Sequence, residues 1–225
     1  MFWAFPGRVG AWGLITAWLS LCFFVVTAVP MRSGGFMSDG MQLLQLRRNP
    51  AMVERRARLI ALMGQGLAGV RPRDYDRDAL AHAQAITGDE TMYDVGVWLY
   101  SYFNALDAGD IAGAQGWLDR IEPVVDDYPD GFRQSLAIEL ALFEALHRHR
   151  SEQARQWLAR ARGGVVDEAR RRLAEAALAV REGRGDDARS ALALARKKLT
   201  HSMDAGSTHL SADQIATLQA LAVNA

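Results

Sequence analysis

The chain has 225 residues, half of them hydrophobic, and its 26 basic and 26 acidic residues give a net charge of zero. This balance does not favour nucleic-acid binding, which normally requires an excess of basic surface, so we expect no nucleic-acid partner. The single cysteine, Cys22, excludes a disulfide within the chain and a zinc cluster built from cysteines. The charge is unevenly divided, because residues 1–50 contain four arginines and only one aspartate.

Residues 9–29 form an uncharged, apolar segment between Arg8 and Arg32. As an α-helix this segment spans roughly 30 Å, the thickness of the hydrocarbon core of a bilayer. We therefore predict one transmembrane helix within residues 1–31. The alternative is a signal peptide cleaved after Ala28, but the apolar run is longer than such peptides usually have.

Basic residues near the ends of the span predict its orientation. Arg8 precedes it, whereas Arg32, Arg47 and Arg48 follow it. Because basic residues concentrate on the cytoplasmic side, we expect a single-pass membrane protein whose soluble part is cytoplasmic.

Residues 32–50 form a glycine-rich linker followed by a juxtamembrane helix. Gly34-Gly35 predicts a turn, and Ser38-Asp39-Gly40 precedes the apolar pair Leu43-Leu44. Serine and aspartate accept hydrogen bonds from free amides at a helix start, so either Ser38 or Asp39 is expected to cap a helix that begins near Gly40.

From residue 51 onward the composition favours helices, with no convincing strand. Residues 51–90 are predicted to hold two connecting helices, at 51–67 and at 76–86, the second capped by an aspartate. Residues 91–225 are predicted to hold paired helices and then a last helix at 211–223 capped by Ser211. The predicted pairs are 94–108 with 111–125, 131–149 with 152–162, and 166–181 with 187–199.

A short pattern recurs in the second helix of each pair. It comprises Ala114-x-x-Trp117-Leu118, Ala154-x-x-Trp157-Leu158 and Ala188-x-x-Ala191-Leu192, at spacings of 40 and 34 residues. These spacings are typical of helical-hairpin repeats, which stack because one hairpin cannot bury its own apolar face.

The repeat region resembles a degenerate tetratricopeptide-repeat array. Trp98, Gly109, Ala114 and Leu118 stand at the register of that family's tryptophan, turn glycine, small residue and aromatic position. The resemblance implies stacked hairpins that bind proteins or peptides. The chain departs from the pattern where the family has a small residue for close helix crossing: only the third unit keeps one, so we do not expect a regular peptide groove. These positions are Tyr102, Leu142 and Ala176.

The segment around Ser38-Asp39-Gly40 resembles the third-ligand region of site-two-protease-type intramembrane metallopeptidases. In that family an Asp-Gly close to a membrane helix supplies a zinc ligand, and a His-Glu-x-x-His helix supplies two histidines and the general base. The resemblance therefore implies that Asp39 is a metal ligand, provided that the other ligands come from outside this chain. No His-Glu-x-x-His is present, and all five histidines lie far beyond the span: His82, His147, His149, His201 and His209.

A single aspartate cannot hold a catalytic zinc, so we expect neither zinc nor catalysis from this chain alone. If the resemblance reflects descent, two expectations follow. Either the start has been placed too late and the catalytic half is missing, or the gene is a remnant that kept the last membrane helix and the helical tail.

For several other aromatic, histidine and basic residues we expect structural roles. The aromatic stretch Trp98–Phe103 is expected to pack mainly in the core, and Trp117 and Trp157 to fill equivalent gaps. His147 and His149 point in different directions on a helix and are expected to be exposed near its end. Two basic runs are expected to be solvated and paired with acidic neighbours. These are Arg170-Arg171-Arg172 and Arg196-Lys197-Lys198, with Glu168, Glu175 and Asp186 or Asp187 as partners.

The sequence as a whole predicts an all-α protein with an N-terminal transmembrane helix and a tetratricopeptide-like hairpin array. The function we expect is that of a membrane-anchored scaffold for protein–protein interaction. The first alternative is the C-terminal, non-catalytic part of a zinc-dependent intramembrane protease. The second is a periplasmic helical protein released after Ala28.

Overall fold

A computed structural model describes residues 6–33, 36–86, 91–129, 131–163, 166–200, 202 and 204–223. In these ranges the prediction of an all-α fold is confirmed, apart from one two-stranded ribbon. The chain forms two compact units, Met1–Val53 and Glu54–Ala225, and helix α3 begins in the first and ends in the second. The helices are α1 (Pro6–Ala28), α2 (Asp39–Arg48), α3 (Pro50–Leu67), α4 (Arg77–Ala85), α5 (Thr91–Asp107), α6 (Ile111–Ile121), α7 (Arg133–Phe143), α8 (Ser151–Arg160), α9 (Glu168–Arg181), α10 (Gly185–Leu199) and α11 (Ala205–Ala222).

The N-terminal unit consists of α1, a short ribbon and α2. Strands β1 (Arg32–Ser33) and β2 (Phe36–Met37) pair antiparallel, with Arg32 opposite Met37. The turn predicted at Gly34-Gly35 lies outside the described residues. The strands on either side of it were not predicted, because two-residue strands carry too little pattern to be recognised. Helix α1 has the length and composition needed to cross a membrane: the window Gly10–Ala28 has a mean hydropathy of 1.9, and none of it is buried.

The six central helices of the second unit pack as three hairpins: α5 with α6, α7 with α8, and α9 with α10. The predicted pairs are therefore confirmed, although their boundaries shift by a few residues. Two helices change their winding at the end. After α6 the chain continues as a 3₁₀ helix, Glu122–Asp127, where Pro123 has no amide hydrogen to donate. After α7 it forms a π-helical turn, Glu144–Arg148.

Each of the three hairpin turns contains one residue in the left-handed region of backbone conformation. Gly109 has φ +80°, His149 +58° and Gly183 +70°. In each hairpin the fully buried alanine of the recurring sequence pattern follows five residues later, at Ala114, Ala154 and Ala188.

Helix α11 packs against α9 and α10, just as α9 packs against α7 and α8. The predicted start of this helix at Ser211 is wrong. Asp204 caps it instead, accepting a hydrogen bond from the Ser207 amide at 3.1 Å, and Ser211 is buried in its middle. The prediction failed because Ala205–His209 offers no apolar periodicity. The predicted aspartate cap of α4 is confirmed, since the side chain of Asp76 accepts from the amides of Asp78 and Ala79.

Candidate functional site

The junction between α1 and α2 is organised by Ser38. Its hydroxyl donates to the carbonyl oxygen of Val29 at 2.6 Å and accepts from the amides of Met31 at 3.0 Å and Met41 at 3.2 Å. Ser38 thus caps α2 and ties it to the end of α1 at the same time. Of the two cap candidates predicted for this helix, the structure selects Ser38 rather than Asp39.

Gly40 allows the close approach of α2 to the last turn of α1. A Cβ atom built on Gly40 would lie 1.8 Å from the carbonyl oxygen of Ala28 and 3.2 Å from the nitrogen of Pro30. Real Cβ atoms do not approach backbone atoms so closely, so this position requires glycine. Both flanking residues of the Ser38-Asp39-Gly40 motif therefore have structural roles.

Asp39 is the first residue of α2 and its side chain is exposed. A carboxylate in the first turn interacts favourably with the positive end of the helix dipole. Within the described ranges, no three histidine, cysteine, aspartate or glutamate residues lie close enough to hold a metal ion together. Asp39 by itself can supply one ligand, whereas a zinc site needs at least three from protein.

The histidines serve other contacts. His82 lies 3.2 Å from Glu54, and His147 is half-buried with its ring centroid 4.9 Å from that of Phe143. Burial lowers the pKa of His147. The expectation that both His147 and His149 are exposed is thus confirmed only for His149, which contacts Arg181. His201 lies outside the described residues.

Helices α5, α7, α9 and α11 converge on a buried polar network centred on Arg170. The guanidinium of Arg170 forms a two-pronged ion pair with Glu139 and donates to Gln214 at 2.7 Å and Ser211 at 3.2 Å. Tyr102 donates to Glu139 at 3.3 Å, and burial raises the pKa of its hydroxyl. Arg170 is only 5 % exposed.

The prediction that Arg170 belongs to a solvated basic run is wrong. Its partners lie 31 and 44 residues away in sequence, so no local pattern points to them. The prediction is confirmed for its neighbours Arg171 and Arg172, which pair with glutamates. Those glutamates are Glu168 and Glu175.

The prediction that the second basic run, residues 196–198, pairs with Asp186 or Asp187 is also wrong. Arg196 donates to Gln219 at 2.9 Å. Asp186 and Asp187 instead pair with Arg189 and Arg184, each three residues away. Residues three apart are neighbours on a helix surface, whereas the basic run lies more than two turns farther along α10.

Arg71 joins the end of α5 to the middle of α11. Its guanidinium bonds to the buried carboxylate of Asp107, with Nη2–Oδ1 at 2.7 Å, and also to Asp213. These two carboxylates raise the pKa of Arg71, chiefly through hydrogen bonds. Together with the Arg170 network, this contact fills the side of the array where α5, α7, α9 and α11 meet.

Among the described residues, α6, α8, α9 and α10 line grooves that share no residue with the Arg170 network or with the Arg71 contact. One, between α6 and α8, has a volume of about 580 Å³ and a polar lining that includes Asp119, Glu144 and Arg148. The other lies where α8, α9 and α10 meet and has a volume of about 370 Å³. Apolar residues line it, among them Leu158 and Leu194, with charged residues at its rim. We call the second one the leucine groove.

The predicted core role of the aromatic stretch is confirmed for Tyr102, which is fully buried, and for Trp98 and Phe103, which pack against the main core. Trp117 and Trp157 are indeed equivalent: an arginine three residues later covers each ring, at 4.6 and 4.3 Å from the centroid. The arginines are Arg120 and Arg160.

Comparison with known proteins adds no assignment. No protein-family model matches the chain, and neither a curated protein nor a solved structure is significantly similar to it.

Proposed function

We propose that this chain is a membrane-anchored helical scaffold that binds other proteins. The observation that carries the proposal is α1, whose window Gly10–Ala28 is uncharged, entirely exposed and long enough to cross a bilayer. A fully exposed apolar helix of this length is costly in water, whereas hydrocarbon accommodates it. Arg32, Arg47 and Arg48 follow the helix and favour a cytoplasmic location for the helical unit.

Stacked hairpins of the tetratricopeptide kind would explain why each turn has a left-handed residue and why a buried alanine follows it five residues later. Arrays of this kind present extended surface to partners. Because Arg170 and Arg71 already bind other side chains of this chain, we place the partner surface at the leucine groove, whose lining includes neither of them. Leu194 stands there with 45 % of its surface exposed. Anchoring to a membrane raises the effective concentration of such a surface for partners on the same membrane.

Site-specific photo-crosslinking in membranes tests this proposal. A photoreactive residue is placed at Leu194 or, as a matched control, at Leu221 of α11, which is also 45 % exposed. A discrete crosslinked protein from position 194 and none from position 221 would support the scaffold function. Equal labelling from the two positions, or none from either, would contradict it.

The second candidate function is participation in a zinc-dependent intramembrane protease, with Asp39 as a ligand. The observation that favours it is the geometry of the junction: Ser38 and Gly40 hold the start of α2 against the end of α1, and the carboxylate of Asp39 is left exposed there. Zinc bound at this place would polarise a peptide carbonyl and activate a water molecule. The remaining ligands and the general base would come from another segment or chain.

Zinc content and casein proteolysis of the detergent-solubilised chain test this second function. Asp39→Asn is compared with Asp78→Asn, which changes an equally exposed aspartate in the first turn of α4. Zinc that is lost only in Asp39→Asn would support ligation. Absence of zinc and of cleavage would leave the scaffold function. A reading frame upstream of Met1 that encodes His-Glu-x-x-His in an apolar context would favour the protease.

A further inference from the structure

Two leucines of α2 are left largely exposed. Leu43 is 68 % exposed and Leu46 is 54 % exposed. Residues three apart lie on one face of a helix, so the two side chains form a small apolar stripe. Arg47 and Arg48 follow at once, and both are exposed.

The junction fixes where α2 begins relative to α1. The Ser38 hydroxyl bonds to Val29, and Gly40 lies against Ala28, so α2 starts beside the final turn of α1. All residues of α1 from Gly10 to Ala28 are exposed, so α2 does not run back along α1 and cover it. If α1 crosses a bilayer, Ala28 lies at its surface, and α2 starts at that same depth.

The charge around this point matches an anionic surface. Arg32, Arg47 and Arg48 outnumber the single acidic residue, Asp39. The negative surface potential of a membrane with anionic lipids attracts arginines that lie close to it. A helix with leucines beside arginines can lie in the membrane interface, with the leucines among the upper acyl chains and the guanidinium groups at the phosphates.

We infer that α2 is an interfacial helix that binds an anionic lipid surface through Leu43, Leu46, Arg47 and Arg48. The inference rests on the proposed anchoring by α1. Together, α1 and α2 would give the N-terminal unit two contacts with the bilayer.

The experiment uses the full chain in lipid nanodiscs, either of phosphatidylcholine or of equal parts phosphatidylcholine and phosphatidylglycerol. An environment-sensitive fluorophore is attached at one cysteine, and brominated acyl chains serve as the quencher. The labelled positions are the native Cys22 within α1, Leu43→Cys in a Cys22→Ser background, and Leu221→Cys in the same background. Leu46→Cys provides an independent second position on α2.

We expect a label at position 22 to be quenched in both lipids and a label at position 221 in neither. A label at position 43 or 46 should be quenched with a blue-shifted emission in the anionic nanodiscs, and more weakly in the neutral ones. Replacing Arg47 and Arg48 by glutamine should reduce quenching in the anionic nanodiscs to the level seen with neutral lipid.

Quenching at position 22 without quenching at positions 43 and 46 would overturn the inference and leave the anchor intact. A blue-shifted but unquenched label at those two positions would also overturn it, because a protein surface would then cover the leucines. Failure of quenching at position 22 would remove the anchor itself, and with it both proposals.

Discussion

Single residues buried with their charge have the largest expected effects on stability. Arg170 and Glu139 are each 5 % exposed and satisfy each other together with Tyr102, Ser211 and Gln214. Removing one member leaves the other as a buried, uncompensated charge, whereas an exposed ion pair contributes little.

Glu139→Ala should lower the free energy of unfolding by about 3–5 kcal/mol. The control is Glu152→Ala, which breaks an exposed pair with Arg155 and should cost less than about 1 kcal/mol. Urea unfolding followed by circular dichroism measures both values. Equal losses for the two variants would show that the Arg170 network does not stabilise the helical unit.

His149 is the one non-glycine residue with positive φ in the described part of the chain. A side chain in this region costs about 1–2 kcal/mol, which glycine avoids. His149→Gly should therefore stabilise the helical unit by about 1 kcal/mol, even though it removes the contact with Arg181. Gly183→Ala, at the equivalent turn, should have the opposite sign. Thermal unfolding of the two variants checks the pair, and a destabilised His149→Gly would refute the argument.

His147 should make stability depend on pH. Burial lowers its pKa in the folded protein, whereas an unfolded chain has the ordinary value of about 6.5. Below about pH 6.5 the unfolded state therefore binds a proton that the folded state does not, and stability is lost as the pH falls.

Urea midpoints measured at neutral and mildly acidic pH should fall less in His147→Gln than in the wild type. An unchanged pH dependence in His147→Gln would assign the effect to other groups.

Among the helices, the close approach of α11 to Val70 depends on Gly206. A Cβ atom on Gly206 in α11 would lie 2.1 Å from the carbonyl oxygen of Val70, whereas one on Gly116 in α6 would meet nothing within 4 Å. In a helix interior, alanine is otherwise better than glycine by about 1 kcal/mol.

Gly206→Ala should therefore loosen α11 and destabilise the protein, while Gly116→Ala should stabilise it by up to about 1 kcal/mol. Hydrogen exchange of the α11 amides, together with the unfolding midpoint, measures the difference. Faster exchange is expected only in Gly206→Ala. If both variants gain stability, α11 does not need the close approach to Val70.

Local signals account for the elements that the sequence predicts correctly. Asp76 caps α4 because an aspartate accepts from amides two and three residues ahead, and glycine turns separate helices whose apolar periodicity is strong. The start of α11 and the burial of Arg170 escape prediction because distant contacts decide them. In the junction, Ser38 was a predicted cap candidate, but its bond to Val29 and the need for glycine at position 40 depend on how α2 meets α1.

For the whole molecule, the attachment to a membrane can be tested directly by extraction. An apolar helix that spans a bilayer resists extraction at high pH, whereas a protein held only by surface charge is released. The chain should remain in the membrane pellet after alkaline carbonate treatment, with its N-terminal segment retained in the mass spectrum. A soluble mature chain that begins at Val29 would instead establish cleavage and exclude the anchor.

The bond between Arg71 and Asp213 joins residues 142 positions apart. Arg170 bonds to Ser211 and Gln214, which lie 41 and 44 residues later in the sequence. A ribosome delivers α11 only after the hairpins it completes. Until α11 has been synthesised, Arg170 and Glu139 lack part of their hydrogen bonds, and the surface that α11 later covers is exposed to water. Premature termination before Ala205 should therefore yield an incompletely folded product that quality-control proteases remove. Helix α11 thus supplies the hydrogen bonds that complete the buried network of Arg170.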